Sequence, residues 1–382
     1  MPSSRVIALV AGEASGDLLG AQLVTALKAL HPDLQFEGVA GPRMIKAGVK
    51  PLYPISRLAV SGYWDVLWHL RDILAIRQSL KTHWSHNPPL AFIGIDAPDF
   101  NLQLEKFLKR QQIPTIHYVS PSIWAWRAER IDLIRQAVDR MLTLFPFETA
   151  IYEKAGIPVS YVGHPLADLL SGFGSQRSSR VSLDLEVDRP LVALLPGSRL
   201  GELKSLGQLF IQSAKRIHQQ WPQVQFVAPM ASLMTRALFE KALEKEKFPF
   251  VKILDGQSHE AILAADVALV ASGTATLETA LLQTPMVISY RLPWFNWLLM
   301  KPRAYLPYVG LPNILAGESI VPELLQTQAT AERLSDAVMD LLRDPEKQKK
   351  MKAHFSHILQ SLKQDAAVKA AKSVSEHLRL LP

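Results

Sequence analysis

The amino-acid sequence predicts an α/β protein of two parallel-sheet domains, and three observations carry that prediction. Short apolar runs alternate with longer segments at helical spacing, the pattern of parallel strands joined by crossover helices. At 171–189 the text changes to Gly, Ser, Asp and Arg and ends on Pro190, which is linker composition. Each half opens with a strand running into a glycine-containing turn. These turns are Gly12-Glu13-Ala14-Ser15-Gly16-Asp17 and Pro196-Gly197-Ser198-Arg199. Two Rossmann-like halves facing each other across a cleft is the simplest arrangement, with ligands bound beyond the carboxyl ends of the strands.

In the first half, strands are expected at 6–11, 36–40, 91–95, 115–119 and 141–145. The second series is expected at 191–195, 224–228, 251–254, 267–270 and 286–289. Segment 63–80 reads as a helix with excess apolar surface. Tyr63, Val66, Leu67, Leu70, Ile73 and Leu74 form one stripe able to pack on a core or line an acyl entry. Trp64 and Trp68 lie on another side, among Arg57, Arg71, Arg77 and Lys81. Segment 293–300, with Trp294 and Trp297 and then Lys301 and Arg303, has interfacial-helix composition. Both segments are candidate membrane contacts, and ordinary core packing explains an apolar helix equally well. From Thr330 onward the chain is helical, with Met351, Phe355, Ile358 and Leu362 at apolar spacing. The expected domains are 1–168, 169–345, and C-terminal helices at 346–382 that pack back on the first.

The 382 residues are enough for two domains. With 48% hydrophobic and 20% charged residues, wholesale disorder is excluded. A net charge of +7 suits nucleotides, phosphorylated metabolites, anionic headgroups or nucleic acid without choosing among them. The absence of cysteine removes disulfides, thiolate metal sites and cysteine nucleophiles. No signal peptide and no spanning helix are expected, so any membrane contact is peripheral.

Gly197-Ser198-Arg199 follows an apolar strand and precedes a helix, where backbone N–H groups, a hydroxyl and a guanidinium suit a pyrophosphate. An ordinary strand-to-helix turn is an equal alternative. Ser272-Gly273-Thr274 repeats the pattern after the strand at 267–270, with Glu278 one turn on as a candidate ribose acceptor. N-capping explains it equally and is compatible with binding. Asp96, in Asp96-Ala97-Pro98-Asp99, closes an apolar strand where a general base would belong, with Glu13 and Asp17 on the same rim. Turn chemistry is the plain alternative. Trp124, Trp126 and Arg127 follow the strand at 115–119 and suit either sugar stacking or packing. His117 reads as a satisfied strand histidine and His164 as a mark of the crossover, since neither has metal-ligand spacing.

These motifs, together with Gly94-Ile95-Asp96-Ala97-Pro98-Asp99-Phe100-Asn101, His117-Tyr118-Val119-Ser120-Pro121-Ser122-Ile123-Trp124-Ala125-Trp126-Arg127 and Leu311-Pro312-Asn313-Ile314-Leu315-Ala316-Gly317, resemble the lipid-A-disaccharide synthase family. The resemblance runs in order from about residue 5 to residue 325. It implies a GT-B fold and an inverting, metal-independent transfer of 2,3-diacylglucosamine from its UDP derivative to 2,3-diacylglucosamine 1-phosphate. It implies no cofactor and no nucleic-acid partner. It also implies work at the cytoplasmic face of a Gram-negative inner membrane.

Carried onto this chain, Asp96 is the candidate base and Glu13 a second acidic group. Gly197, Ser198, Arg199, Ser272, Gly273, Thr274, Glu278 and Asn313 are candidate UDP contacts. Ser15, Gly16, Asn101, Trp124 and Arg127 are candidates for the acceptor and acyl side. Another UDP-sugar enzyme of this fold, a 2-epimerase or a peptidoglycan glycosyltransferase, would have a polar acceptor side, against which the apolar excess at 63–80 argues. A non-catalytic nucleotide- or lipid-binding regulator would be favoured by loss of Asp96 and Glu13, and both are present.

Overall fold

The computed structural model describes residues 5–58, 63–125, 127–291 and 307–380, with backbone alone for 63–69. It resolves into two units: 1–168 with 362–382, and 169–361.

The first unit is built on a seven-stranded parallel sheet. Its strands are β1 (Val6–Ala11), β2 (Gln35–Ala40), β3 (Val49–Pro54), β4 (Ala91–Ile95), β5 (Thr115–Tyr118), β6 (Arg140–Thr143) and β7 (Val159–Tyr161). Their order is β3-β2-β1-β4-β5-β6-β7. The central strand explains its own composition. Ile7 and Leu9 of β1 pack with Leu23 and Leu27 on one face, and Ala8 and Val10 pack with Ile76, Leu80 and Trp84 on the other. A strand covered on both sides reads as a continuous apolar run, which is why β1, β4 and β5 were legible. The edge strands β3 and β7 were not expected from sequence. β3 carries Pro51 and Pro54 and is largely exposed, as an edge strand tolerates.

The second unit has a six-stranded parallel sheet: β8 (Leu191–Leu195), β9 (Gln225–Met230), β10 (Val251–Asp255), β11 (Val267–Ala271), β12 (Met286–Tyr290) and β13 (Glu323–Leu325). Their order is β10-β9-β8-β11-β12-β13. The 171–189 stretch is not the plain linker its composition suggested. It forms helix Gln176–Ser182, capped by Ser175, and buries Arg180 against Asp266 with Nη2 2.8 Å from Oδ2. Sequence composition hid a polar segment that is ordered by one buried ion pair and its hydrogen bonds.

The expected return of 346–382 to the first domain is narrower in the structure. Helix Pro345–Leu362 stays with the second sheet, where Met286 N donates to Met351 Sδ and Ser356 Oγ to Gln283 Oε1. The first unit takes only 362–382. There the carboxylate of Asp168 accepts from the N–H groups of Gln364, Asp365 and Ala366, at the start of helix Ala366–His377. That helix packs on helix Ala14–Leu30, and its Ser375 Oγ meets His31 Nε2 at 2.9 Å.

Candidate functional site

In each sheet the chain turns from one flank to the other beside its first strand. The turn lies between β1 and β4 in the first sheet, and between β8 and β11 in the second. Parallel sheets bind ligands at the carboxyl ends of such strand pairs, because the connections leave in opposite directions and open a crevice. Glu13 and Asp96 stand at the first switch point; Ser198 and Ser272 stand at the second.

At the end of β4, Asp96 and Ala97 both take left-handed backbone angles, φ 53° and 44°. Two consecutive non-glycine residues there store strain, which persists only when surrounding contacts hold it. Those contacts are visible. Asp96 N donates to Tyr118 O at 2.8 Å, and Asn101 Nδ2 donates to Asp96 O at 2.8 Å and to Val10 O at 3.3 Å. Gly12 admits the turn, since a Cβ there would lie 2.4 Å from Ala97 Cβ. The result is a cavity of about 780 Å³ lined by Glu13, Asp96, Arg77 and Phe100 together with Leu58, Leu70, Ile73 and Leu74. Burial raises the Asp96 pKa above the usual carboxylate value and the charge of Glu13 raises it further. His117 and the Ala97 N–H pull it back.

His117 is more than the satisfied strand histidine the sequence suggested. It is fully buried on β5, one strand from Asp96, and its Nδ1 lies 2.7 Å from Oε1 of the fully buried Glu105. Among the described residues, its Nε2 and Glu105 Oε2 are buried without a hydrogen-bond partner. Burial lowers the His117 pKa, but the Glu105 carboxylate, with a smaller pull from Asp96, holds it above its ordinary value. Glu105 was not singled out from sequence. Its signal was a carboxylate on the apolar face of helix Pro98–Arg110, beside Leu104 and Leu108.

Other expected residues serve the fold. The Asp17 carboxylate is turned from the rim and accepts from Gly41, Arg43 and Met44 N–H groups. Asn101 is fully buried and holds the Asp96 turn rather than facing an acceptor. Gly16 is buried in its helix against Ala11, whereas Ser15 is exposed and donates to Glu13 Oε1 at 3.2 Å. Trp124 donates from Nε1 to Glu148 Oε1 at 3.0 Å and sits edge-on to Phe147, so it packs within the first unit. Burial lifts the pKa of Glu148 to about 7 and lowers that of His164 to about 4. Arg127 is an exposed left-handed residue leading into the turn Ala128–Arg130.

On helix Tyr63–His86, Leu70 and Leu74 are each 43% exposed, so the expected apolar stripe does not bury there. Ile76, Leu80 and Trp84 form the inward face instead. Arg71 is exposed and Arg77 half-buried. The side chains of Trp64, Leu67 and Trp68, and residues Trp126, Trp294 and Trp297, lie outside the described residues.

The second unit gathers most of the expected nucleotide residues around a cavity of about 300 Å³. Gly197, Ser198, Arg199, Ser272, Gly273, Thr274 and Glu278 all line it. Gly197 has φ 116°, and a Cβ there would lie 2.5 Å from Glu202, so only glycine fits the turn. Glu202 steadies Arg199, accepting from its N–H at 3.3 Å and from Nη1 at 3.2 Å. Thr274 begins helix Thr274–Leu281, whose positive end faces the cavity. Glu278 Oε2 lies 3.5 Å from His259 Nε2 and raises the His259 pKa through that contact. His259 was missed in sequence because a single histidine at a helix start carries no spacing signal. Asn313 does not join the lining. Its amide is fully engaged, donating to Val321 O and Glu323 Oε1 and accepting from the N–H groups of Ile320 and Val321. Among the described residues no group of three or more His, Asp or Glu is placed to hold a metal ion.

A family model described as Lipid-A-disaccharide synthetase matches residues 7–377. The chain belongs to the lipid-A-disaccharide synthase family. It is 49% identical over 376 residues to the lipid-A-disaccharide synthase of Methylobacillus flagellatus, covering 98% of this chain and 99% of that one. With its counterpart from Dechloromonas aromatica it shares 50% over 382 residues, covering 99% and 100%.

Solved structures at far lower identity show the fold alone. UDP-GlcNAc 2-epimerase from Neisseria meningitidis, bound to UDP-GlcNAc, gives a TM-score of 0.66 at 13% identity over 98% of this chain and 99% of that one. The calicheamicin glycosyltransferase CalG4 gives 0.62 at 15% over 99% and 100%. The fold is of the GT-B type, and the chain is a glycosyltransferase of lipid A biosynthesis that uses a UDP-sugar and a lipid acceptor.

Proposed function

We propose that the chain moves 2,3-diacylglucosamine from UDP-2,3-diacylglucosamine to the 6-hydroxyl of 2,3-diacylglucosamine 1-phosphate. The products are the β-1′,6-linked disaccharide 1-phosphate and UDP. The observation that carries this reading is the cavity of the first unit, where two carboxylates meet a wall of Leu58, Leu70, Ile73 and Leu74. A polar acceptor needs the carboxylates but not that wall; an acylated sugar needs both.

In the proposed step Asp96 takes the proton of the acceptor hydroxyl as its oxygen attacks the anomeric carbon. The bond from that carbon to the diphosphate oxygen breaks, configuration inverts, and the electron pair leaves on UDP. A carboxylate with a raised proton affinity is a better base than an exposed one, provided it is still ionised. On the second unit Ser198, Arg199 and the start of helix Thr274–Leu281 supply donors for the departing diphosphate, while Ser272 shapes the cavity with its hydroxyl donating to Val309 O and its N–H to Ser289 O. Glu278 suits the ribose hydroxyls.

Leu70, Leu74 and Arg71, with Trp64, Leu67, Trp68, Trp294 and Trp297, form the proposed contact with an anionic membrane surface on the cytoplasmic side. No helix among the described residues is long and apolar enough to cross a membrane. Incubation with both substrates tests the reading: the expected product is the disaccharide 1-phosphate with stoichiometric UDP. UDP-sugar epimerised at C2, with no disaccharide, would contradict it.

A further inference from the structure

We propose that Arg77 is the phosphate anchor of the acceptor pocket, pairing with the phosphate monoester of the amphiphile whose hydroxyl meets Asp96. This rests on the proposed reaction and adds a subsite to it.

The argument begins with helix geometry. Leu70, Ile73, Leu74 and Arg77 are spaced i, i+3, i+4 and i+7 on helix Tyr63–His86, so they share one face, and all four line the cavity that holds Glu13 and Asp96. Three apolar residues ending in one cation is the chemistry of an acyl chain ending in an anionic group. Among the described residues, no carboxylate lies within ion-pairing distance of Arg77. The nearest acid in the turn, Asp99, has its carboxylate taken by Arg130 and offers Arg77 only its carbonyl, at 3.5 Å from Nη1. The guanidinium carbon lies 5.9 Å from the centre of the Phe100 ring, which orients the group.

A half-buried guanidinium cannot shed its proton to relieve its burial, so it holds a standing demand for an anion. Burial lowers the Arg77 pKa, the same desolvation seen from the titration side. An anion entering a cavity with two carboxylates also needs this cation, since without it Glu13 and Asp96 would repel a phosphate. The sequence also makes Arg77 a candidate contact for membrane headgroups. Phosphate is common to both ligands, and its place in the cavity favours the acceptor.

The test compares 2,3-diacylglucosamine 1-phosphate with 2,3-diacylglucosamine, binding to the full chain in neutral detergent micelles by calorimetry. Wild type is expected to prefer the phosphorylated ligand by about 10- to 100-fold, as charge-assisted pairing gives. Arg77→Gln should bring the ratio near one by weakening the phosphorylated ligand only, and Arg77→Lys should keep part of it. A ratio unchanged in Arg77→Gln overturns the proposal. So does a variant that keeps the ratio in micelles but leaves vesicles of phosphatidylglycerol, which would make Arg77 a headgroup contact. Because binding is read without the donor, a phosphate preference that depends on Arg77 stands even where transfer is not observed. Failure of the reaction and failure of the subsite are therefore separable.

Discussion

Glu105 and His117 meet at 2.7 Å, both fully buried, on the two elements that flank Asp96. His117, held above its ordinary pKa by the Glu105 carboxylate, pulls the Asp96 pKa down and so opposes the two influences, burial and Glu13, that raise it. Asp96 accepts a proton only when ionised, so activity falls as pH drops through its pKa. His117→Asn removes that pull, and the acid limb of kcat/KM should move to higher pH. Glu13→Gln removes a like charge and should move the limb to lower pH. Profiles for both variants that overlay the wild type would remove these groups from the electrostatics of the base.

Gly94 makes that pair possible. A Cβ at residue 94 would lie 2.1 Å from Glu105 Oε1 and 3.0 Å from Asn101 Cβ, with no free end able to move aside. Gly94→Ala should therefore displace Glu105 and the turn held by Asn101. We expect a loss of about 1–3 kcal/mol in stability, the usual cost of overpacking, with a larger proportional loss of kcat. Thermal unfolding beside steady-state kinetics checks it; wild-type values in both would show the pair tolerates relocation.

For the nucleotide, Arg199→Ala and Glu278→Ala should each weaken UDP binding by about 1–3 kcal/mol, as loss of a charged or polar partner does. Glu202→Ala should weaken it less, since it only steadies Arg199. Calorimetry giving unchanged UDP affinity in both Arg199→Ala and Glu278→Ala would move the nucleotide elsewhere.

Leu70 and Leu74 are exposed apolar residues on the face that also lines the cavity holding Glu13 and Asp96. Replacing both with Ser should reduce co-sedimentation with anionic vesicles while UDP affinity holds. Each basic residue near the surface contributes about 1 kcal/mol, so wild-type binding should fall as salt rises. Vesicle binding at wild-type level in the double variant would shift attention to Trp64, Trp68 or the segment at 293–300.

Much of this was legible in the sequence because buried parallel strands leave continuous apolar runs. The ends of β1, β4, β8 and β11 follow directly, and with them Glu13, Asp96, Ser198 and Ser272. What stayed hidden depends on contacts between distant segments. Asp17, Asn101 and Asn313 are polar residues close to turns that end or begin elements, the same signal that a ligand site gives. The Asp17 carboxylate and the Asn101 Nδ2 are instead taken by backbone groups, and the Asn313 amide by backbone groups and Glu323, which no local pattern reveals. Glu105 looked like a helix charge until β5 brought His117 to it. The edge strands β3, largely exposed and carrying two prolines, and β7, three residues long and half-buried, lack the apolar run that marks the centre of a sheet.

The most direct test is turnover of the Asp96→Asn protein with UDP-2,3-diacylglucosamine and 2,3-diacylglucosamine 1-phosphate, measured beside its UDP affinity. Removing a positioned general base should lower kcat by about 10²–10⁴ and leave UDP binding within a factor of about two. Disaccharide formation near the wild-type rate in a folded Asp96→Asn protein would contradict the account.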